Sequence, residues 1–333
     1  MTTARIDEAA ETLVIAGAGQ RPTTAELIGP RARVDARVTG GGKTWKATFP
    51  LRASRWGGPE LPLPTGDYEL RIAGAEFGDL LIAPEVLAGV RIAVDGATVR
   101  IAAPIDPAYE TSEGQATLEG RYVAHPGATE NAVFFESFYG RTVGCNPQAI
   151  DRALFAQAPD VVRYWSVVDL SVAVPDGAIA VVEGSPEWWR ARAASRLLVV
   201  NDWLRRRFVR KPGQKVLQTW HGTPLKRLAL HRPGFAPRRM AAVVKESRRW
   251  DVLLAQNTYS ERILRKAYAF FGRPIWVEGY PRNDALVTGD AAGIRGDLGI
   301  ADGERVLLYA PTWRDDLTEM VDFIDPEELA RQT

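Results

Sequence analysis

The rhythm of apolar residues changes once along this chain, and that change constrains the fold more than any single motif. Up to about residue 103 the apolar positions fall in short runs that alternate with polar ones: Thr12 to Ala16, Ala32 to Val38, Thr44 to Phe49, Tyr68 to Ile72, Val90 to Val94 and Thr98 to Ala102. Alternation of this kind marks strands with one wet face. Turn formers separate the runs: Gly40-Gly41-Gly42, Pro64 to Asp67, and Asp95-Gly96 set as a tight hairpin. No apolar stripe of helical spacing interrupts them. Residues 1–103 therefore read as a β-sandwich-like domain, and with no catalytic constellation in it, as an accessory one.

Residues 104–130 are rich in Pro, Gly, Thr and Glu and read as a linker. Beyond them apolar runs alternate with helical stretches. The strand candidates are Ala132 to Phe135, Val161 to Val168, Ala178 to Val182, Leu197 to Val200, Val216 to Thr219, Val252 to Ala255 and Ile275 to Val277. Helix starts lie between them: Asn146-Pro147 as cap and first position, Ser185-Pro186-Glu187, and a capping box from Thr258 to Glu261. Strand and helix in alternation predict a mostly parallel, doubly wound α/β domain over residues 131–290. Arg305 to Tyr309 reads as one more buried strand, so residues 291–333 read as the start of a further α/β domain.

Composition excludes whole classes. With 46% hydrophobic and 25% charged residues over 333 positions, the chain is neither low-complexity nor disordered, and its length suits about two domains at roughly 150 residues each. Cys145 stands alone, so no intrachain disulfide and no cysteine-built metal site is expected; no cofactor or metal is called for. No run of about 18 apolar residues and no signal-peptide order at the N-terminus predict a chain that is cytoplasmic or lies on the inner membrane face.

Charge is uneven beneath a net +1. Between Trp203 and Trp250 the chain carries fourteen Lys or Arg and one acid, Glu246. Such a block implies an anionic partner: phosphate groups, an anionic membrane face or nucleic acid. Arg205, Arg206, Arg207, Arg210, Lys211, Arg238, Arg239, Arg248 and Arg249, interleaved with aromatics, are the residues expected to rest on an anionic leaflet. No nucleic-acid motif accompanies them, and a phosphate polymer ranks above nucleic acid.

Ligands of parallel α/β sheets collect beyond the carboxyl ends of the strands, and three such ends carry unusual loops. They are Thr219 to Lys226, Glu278 to Asp284 and Ala310 to Arg314. In the first, Thr223-Pro224 fits the start of a helix whose free N–H groups would face an anion, with Lys226 adding charge. His221, at the strand end, is either a base able to take a proton from an attacking hydroxyl or a hydrogen-bonded turn residue.

Four motifs in order resemble one family: Phe134 to Gly140 with Cys145-Asn146-Pro147, Trp220-His221-Gly222-Thr223-Pro224-Leu225-Lys226, Gly279 to Asp284, and Ala310-Pro311-Thr312-Trp313-Arg314. They resemble the CDP-glycerol:glycerophosphate glycerophosphotransferases, the teichoic acid primase and polymerase family, over about residues 131–316. The resemblance implies a GT-B-like fold of two facing α/β domains and transfer of glycerol phosphate, or a related polyol phosphate, from CDP-glycerol to a lipid-linked acceptor at the cytoplasmic membrane face. It makes His221 the general base and places Arg282, Asn283 and Asp284 at the interdomain cleft. Trp220, Gly222, Thr223 and Lys226 are expected to bind substrate or phosphate together with Arg282, Asn283 and Asp284, and with Thr312 and Arg314 at the start of the donor domain. Family members continue into a nucleotide-binding domain with a second functional histidine, which neither His125 nor His231 matches. The expectation is an acceptor-side fragment, inactive alone. A nucleotide-sugar glycosyltransferase and a non-catalytic module binding membrane or anionic polymer are the alternatives.

Overall fold

The computed structural model describes residues 2–54, 58–74, 80–127 and 130–308, with positions 325, 328 and 331. The chain forms two compact units, residues 1–284 and 285–333.

The first unit begins with two antiparallel sheets. One runs Thr3–Asp7, Thr12–Ala18, Thr44–Pro50, Arg37–Gly41 from edge to edge. The other runs Leu81–Leu87, Val90–Asp95, Thr98–Ala102, Gly66–Ile72, Ala25–Ile28, Arg33–Asp35. Alternation decides which side chains face in: Leu13, Ile15, Ala47 and Phe49 from the first sheet share a core with Leu27, Leu70, Ile92 and Ile101 of the second. Asp95 pairs with Thr98 across Gly96, whose φ of 56° suits a two-residue hairpin.

A seven-stranded parallel sheet follows. Its order is Ile179–Val182, Val162–Val167, Glu130–Glu136, Ser195–Val200, Lys215–Gln218, Val252–Ala255, Ile275–Val277. The chain steps outward for three strands and then returns past the first to build the other side, which leaves a topological switch between Glu130–Glu136 and Ser195–Val200. These strands are apolar on both faces because helices cover both. One face packs Trp188, Trp189, Leu198, Val216 and Trp250 in a single cluster; the other packs Val133, Phe135, Trp165 and Val199. The helix Cys145–Gln157 is fastened to the sheet by a buried ion pair, Asp151 with Arg163 at 2.8 Å.

The segment expected as a linker holds the helix Ser112–Ala124, capped by Thr111 and burying Leu118 and Tyr122 in the first cluster. Its C-terminus corrects a second expectation. Lys211, assigned to the membrane, is 4% exposed, and its ammonium donates to the carbonyls of Tyr122, Val123 and His125 at 2.5, 3.1 and 3.0 Å. Helix ends leave such carbonyls without partners, and a cation there also meets the negative end of the dipole. Lys211→Met is expected to cost about 2 kcal/mol in urea unfolding, since it strands buried acceptors; an unchanged midpoint would remove this role.

The sheets and the α/β part are joined through Asp169, 2% exposed, which accepts from Arg31, from Thr65 N at 3.0 Å and Thr65 Oγ1 at 2.8 Å, and from Ser171 Oγ at 2.6 Å. Burial pushes this carboxyl up, but the hydrogen bonds from Ser171, Thr65 and Arg31 outweigh it and hold the group below the usual carboxylate range. A depressed folded value means the joint contributes fully above the ordinary carboxylate pKa of about 4 and is lost as pH falls through the folded value. Asp169→Asn removes that charge at every pH. It is expected to speed proteolytic cutting around residues 103–111 at pH 7; digestion at the wild-type rate would count against this joint.

In the second unit, Asp290 caps the helix Ala291–Asp297. Arg305 to Leu308, expected as a strand, is irregular, with Leu308 86% exposed. A strand needs a neighbour for its backbone ladder, and no sheet among the described residues includes this segment. Tyr309, Thr312 and Arg314 lie outside the described residues.

Candidate active site

The motifs converge at the switch point, beyond the carboxyl ends of three adjacent strands. Strand Glu130–Glu136 runs into Ser137, whose hydroxyl donates to Thr142 O at 2.6 Å and accepts from Gly144 N at 3.2 Å. That pinning holds an unusual backbone: Phe138, Tyr139 and Cys145 have φ of 47°, 56° and 60°. Left-handed conformations cost non-glycine residues energy and gather where function requires a fixed geometry.

Strand Ser195–Val200 ends at Asn201, fully buried, whose Oδ1 accepts from Phe138 N at 2.9 Å. Its backbone oxygen lies 2.8 Å from His221 Nδ1. A carbonyl only accepts, so Nδ1 bears a hydrogen and Nε2 is the nitrogen left to exchange a proton. The ring is held between Trp220, stacked at 5.1 Å, and the edge of Phe138 at 5.3 Å. Asp202 follows Asn201; burial raises its carboxyl above the usual range, against the opposing pull of His221 and Arg205. The arrangement suits a base: one nitrogen anchored, the other free to take a proton.

Asn146, buried completely, joins the loops. Its Nδ2 donates to Thr219 O at 3.3 Å and Trp220 O at 3.0 Å, and its Oδ1 accepts from Arg282 N at 3.4 Å. Tyr280 adds a second tie through its hydroxyl, which donates to Gly222 O at 3.2 Å. Burial pushes that hydroxyl up to about 12, so it remains a donor at physiological pH. The Arg282 guanidinium reaches Cys145 Sγ at 2.9 Å and lies 5.2 Å from the Tyr280 ring centre. Asn283 N bonds Tyr280 O at 2.8 Å and Asp284 closes the same short turn. Trp220, His221, Gly222, Arg282, Asn283 and Asp284 are thereby carried on loops tied to one another.

Thr223 departs from its expected role. No helix follows Pro224; the Thr223 hydroxyl donates to Gln256 Oε1 at 2.8 Å, and Leu225 N closes a tight turn on Thr223 O at 2.8 Å. With its hydroxyl so engaged, Thr223 caps nothing, and the anion site at a helix end is absent from this loop. Lys226 is exposed, with no acidic partner among the described residues.

Most of the basic block turns inward or pairs with acids from elsewhere in the chain. Arg205 and Arg206 bind Glu183, Arg207 binds Glu119 at 3.3 Å, and Arg210 binds Asp251. Arg239 donates to Gly234 O at 2.9 Å, and Arg249 pairs with Glu246 at 2.8 Å. Arg238 and Arg248 are exposed and unpaired with any acid among the described residues. Sequence reasoning missed Asn201 and gave Tyr280 no role beyond its place in the Gly279 to Asp284 motif. Asn201 carries one legible signal, a polar residue directly after an apolar strand at the switch.

Residues 120–333 match the family model described as CDP-Glycerol:Poly(glycerophosphate) glycerophosphotransferase. The teichoic acid poly(glycerol phosphate) polymerase of Bacillus subtilis (strain 168) is 38% identical over 197 residues, 55% of this chain and 26% of that protein. The teichoic acid glycerol-phosphate transferase of Staphylococcus aureus (strain NCTC 8325 / PS 47) is 32% identical over 212 residues, 56% of this chain and 51% of that protein. Among solved structures, the wall teichoic acid polymerase TagF is similar at a TM-score of 0.59 and 30% identity, over 66% of this chain and 58% of that one. A histidine-to-asparagine variant of TagF with CDPG is similar at 0.58 and 28% identity, over 67% and 63%. The chain spans from about a quarter to about half the length of these curated relatives. A match that takes in every loop of the site, together with a shared parallel-sheet scaffold, makes the chain a member of the CDP-glycerol:poly(glycerophosphate) glycerophosphotransferase family.

Proposed function

We propose that this chain carries the acceptor side of a glycerophosphotransfer reaction, with His221 as its general base. The observation that carries the reading is the Nδ1 anchor on Asn201 O, which leaves Nε2 to take the proton of the acceptor's terminal hydroxyl. The oxygen so freed attacks the phosphorus that bears glycerol in CDP-glycerol. One O–P bond forms, the bond to the second phosphate breaks, and CMP leaves. Such a transfer asks the protein for position and for charge neutralisation around the phosphoryl oxygens. Arg282 and Lys226 supply cations on these loops, and the family resemblance adds Thr312 and Arg314. Trp220, Gly222, Thr223, Asn283 and Asp284 would border the acceptor. The parallel sheet is then one half of a GT-B-like pair, and the N-terminal sheets form an accessory sandwich. Incubating the protein, together with the nucleotide-binding half of a family member, with labelled CDP-glycerol or nucleotide sugars and a lipid-linked polyol phosphate on vesicles tests this. Label is expected to pass from CDP-glycerol alone; transfer of a sugar, or no transfer from any donor, would overturn it.

The acceptor is lipid-linked in this reading, and attachment is peripheral, at the cytoplasmic membrane face. Among the described residues no helix is long and apolar enough to cross a membrane. The residues that support attachment are fewer than the basic block: Arg238 and Arg248 with exposed Lys226, Arg227, Arg232 and Lys245, and the apolar Leu225 and Phe235, 81% and 86% exposed, in the same stretch of sequence. Each basic residue near an anionic leaflet contributes about 1 kcal/mol. Sedimentation with anionic vesicles at low salt is expected to capture the protein, and Phe235→Ser with Arg238→Glu to release most of it. Equal capture of the variant would place the contact elsewhere.

A further inference from the structure

Where the N-terminal sheets meet the α/β part, a cleft of about 580 Å³ opens, lined by Arg31 and Leu61 on one side and by Arg141, Thr142, Val143 and Val172 on the other. Its charge is positive. The charged residues that line it among the described ones are Arg31 and Arg141, and Arg31 also binds the buried Asp169. Every hydrogen bond of Arg31 among the described residues leaves through Nη2, to Asp169 and to Thr65, so Nε and Nη1 remain for a ligand. The Arg141 guanidinium is exposed and has no hydrogen-bond or ion-pair partner among the described residues. Two guanidiniums over an aliphatic wall suit a ligand that alternates anionic groups with short carbon segments.

The cleft is also coupled in position to the site. Arg141 stands three residues after Phe138, whose ring edge rests on His221, so their Cα atoms are at most about 11 Å apart along the chain. Thr142 lies in the same loop, its carbonyl fixed by the Ser137 hydroxyl at 2.6 Å. The loop that touches His221 through Phe138 is therefore the loop that carries Arg141 into the cleft.

Resting on the acceptor reading above, we propose that this cleft is a second binding subsite for the acceptor, holding a phosphodiester of the polyol phosphate chain behind the unit that reacts. Arg141 contacts a phosphate directly, and Arg31 serves both the joint to Asp169 and the ligand. The N-terminal sheets thereby become part of the acceptor track, which gives the accessory region a task.

Calorimetric titration of the full chain with a lipid-free glycerol phosphate oligomer and with free glycerol phosphate tests this. Arg141→Gln is expected to weaken the oligomer about tenfold, the loss of one charged hydrogen bond, and to leave free glycerol phosphate unchanged. Val172→Glu, which puts an anion into the cleft, should weaken the oligomer at least as much, and neither change should alter sedimentation with anionic vesicles. If Arg282→Gln weakens the oligomer while Arg141→Gln and Val172→Glu do not, the subsite is wrong and the acceptor reading stands. If the wild-type protein binds no oligomer, both fall.

Discussion

Replacing His221 with alanine is expected to lower glycerol phosphate transfer, with the nucleotide-binding half of a family member supplied, by about 10²- to 10⁴-fold, the usual contribution of a positioned acid-base group. The size follows from what the ring is held to do. Its Nδ1 proton is committed to Asn201 O at 2.8 Å, and Trp220 and Phe138 fix its plane, so Nε2 is presented as an acceptor at small orientational cost. Alanine removes the proton acceptor while leaving the loops tied through Asn146 and Tyr280. Acceptor binding should therefore change little while turnover falls. A variant that keeps a third or more of wild-type turnover, or that loses acceptor binding instead, would make His221 a structural residue.

The largest loss of stability is expected at Asp151→Ala, about 3–5 kcal/mol, because it leaves a buried guanidinium without its counter-ion. Arg163 is 2% exposed and Asp151 fully buried, so neither can turn to water. Among the described residues Arg163 would keep the Asp176 carbonyl at 2.6 Å and the Phe155 ring at 4.2 Å. Neither carries a formal negative charge. Pairing Asp151→Ala with Arg163→Met removes the orphaned charge and should recover most of the loss, as replacements of whole buried pairs often do. Urea unfolding of the two single variants and the double decides it; a double variant as weak as Asp151→Ala would show that packing, not charge, sets the cost.

The parallel sheet was legible because its strands are apolar on both faces and bounded by caps, and each of the seven proposed runs overlaps a strand. What was lost had a physical cause in each case. The helix Ser112–Ala124 presents chiefly Leu118 and Tyr122 to the core, so its apolar signal is thin. Strands Thr3–Asp7 and Leu81–Leu87 lie at sheet edges and mix exposed with half-buried positions, which weakens their alternation. The capping-box pattern points to Thr258 as the cap, whereas the cap is Asn257, accepting from Ser260 N at 2.9 Å. The basic block misled through distance: Glu119 and Glu183 lie far away in sequence and arrive only on folding. At the site, the motifs disclosed which loops matter, while the hydrogen bonds binding them became visible only in three dimensions. Asn146 looked like a helix cap and proved to hold two other loops.

That one amide ties the fate of the loops together. It gives protons to the backbone at 219 and 220 and takes one from the backbone at 282, so the two faces of its side chain are not interchangeable. An aspartate of the same shape would present oxygen where two carbonyls need a donor. The loops thus share a single register, and a shift in any one is a shift in all. Substitutions could not retune these segments one at a time; variation would be confined to positions the amide does not touch, such as the exposed Leu225, where a side chain can change without moving His221.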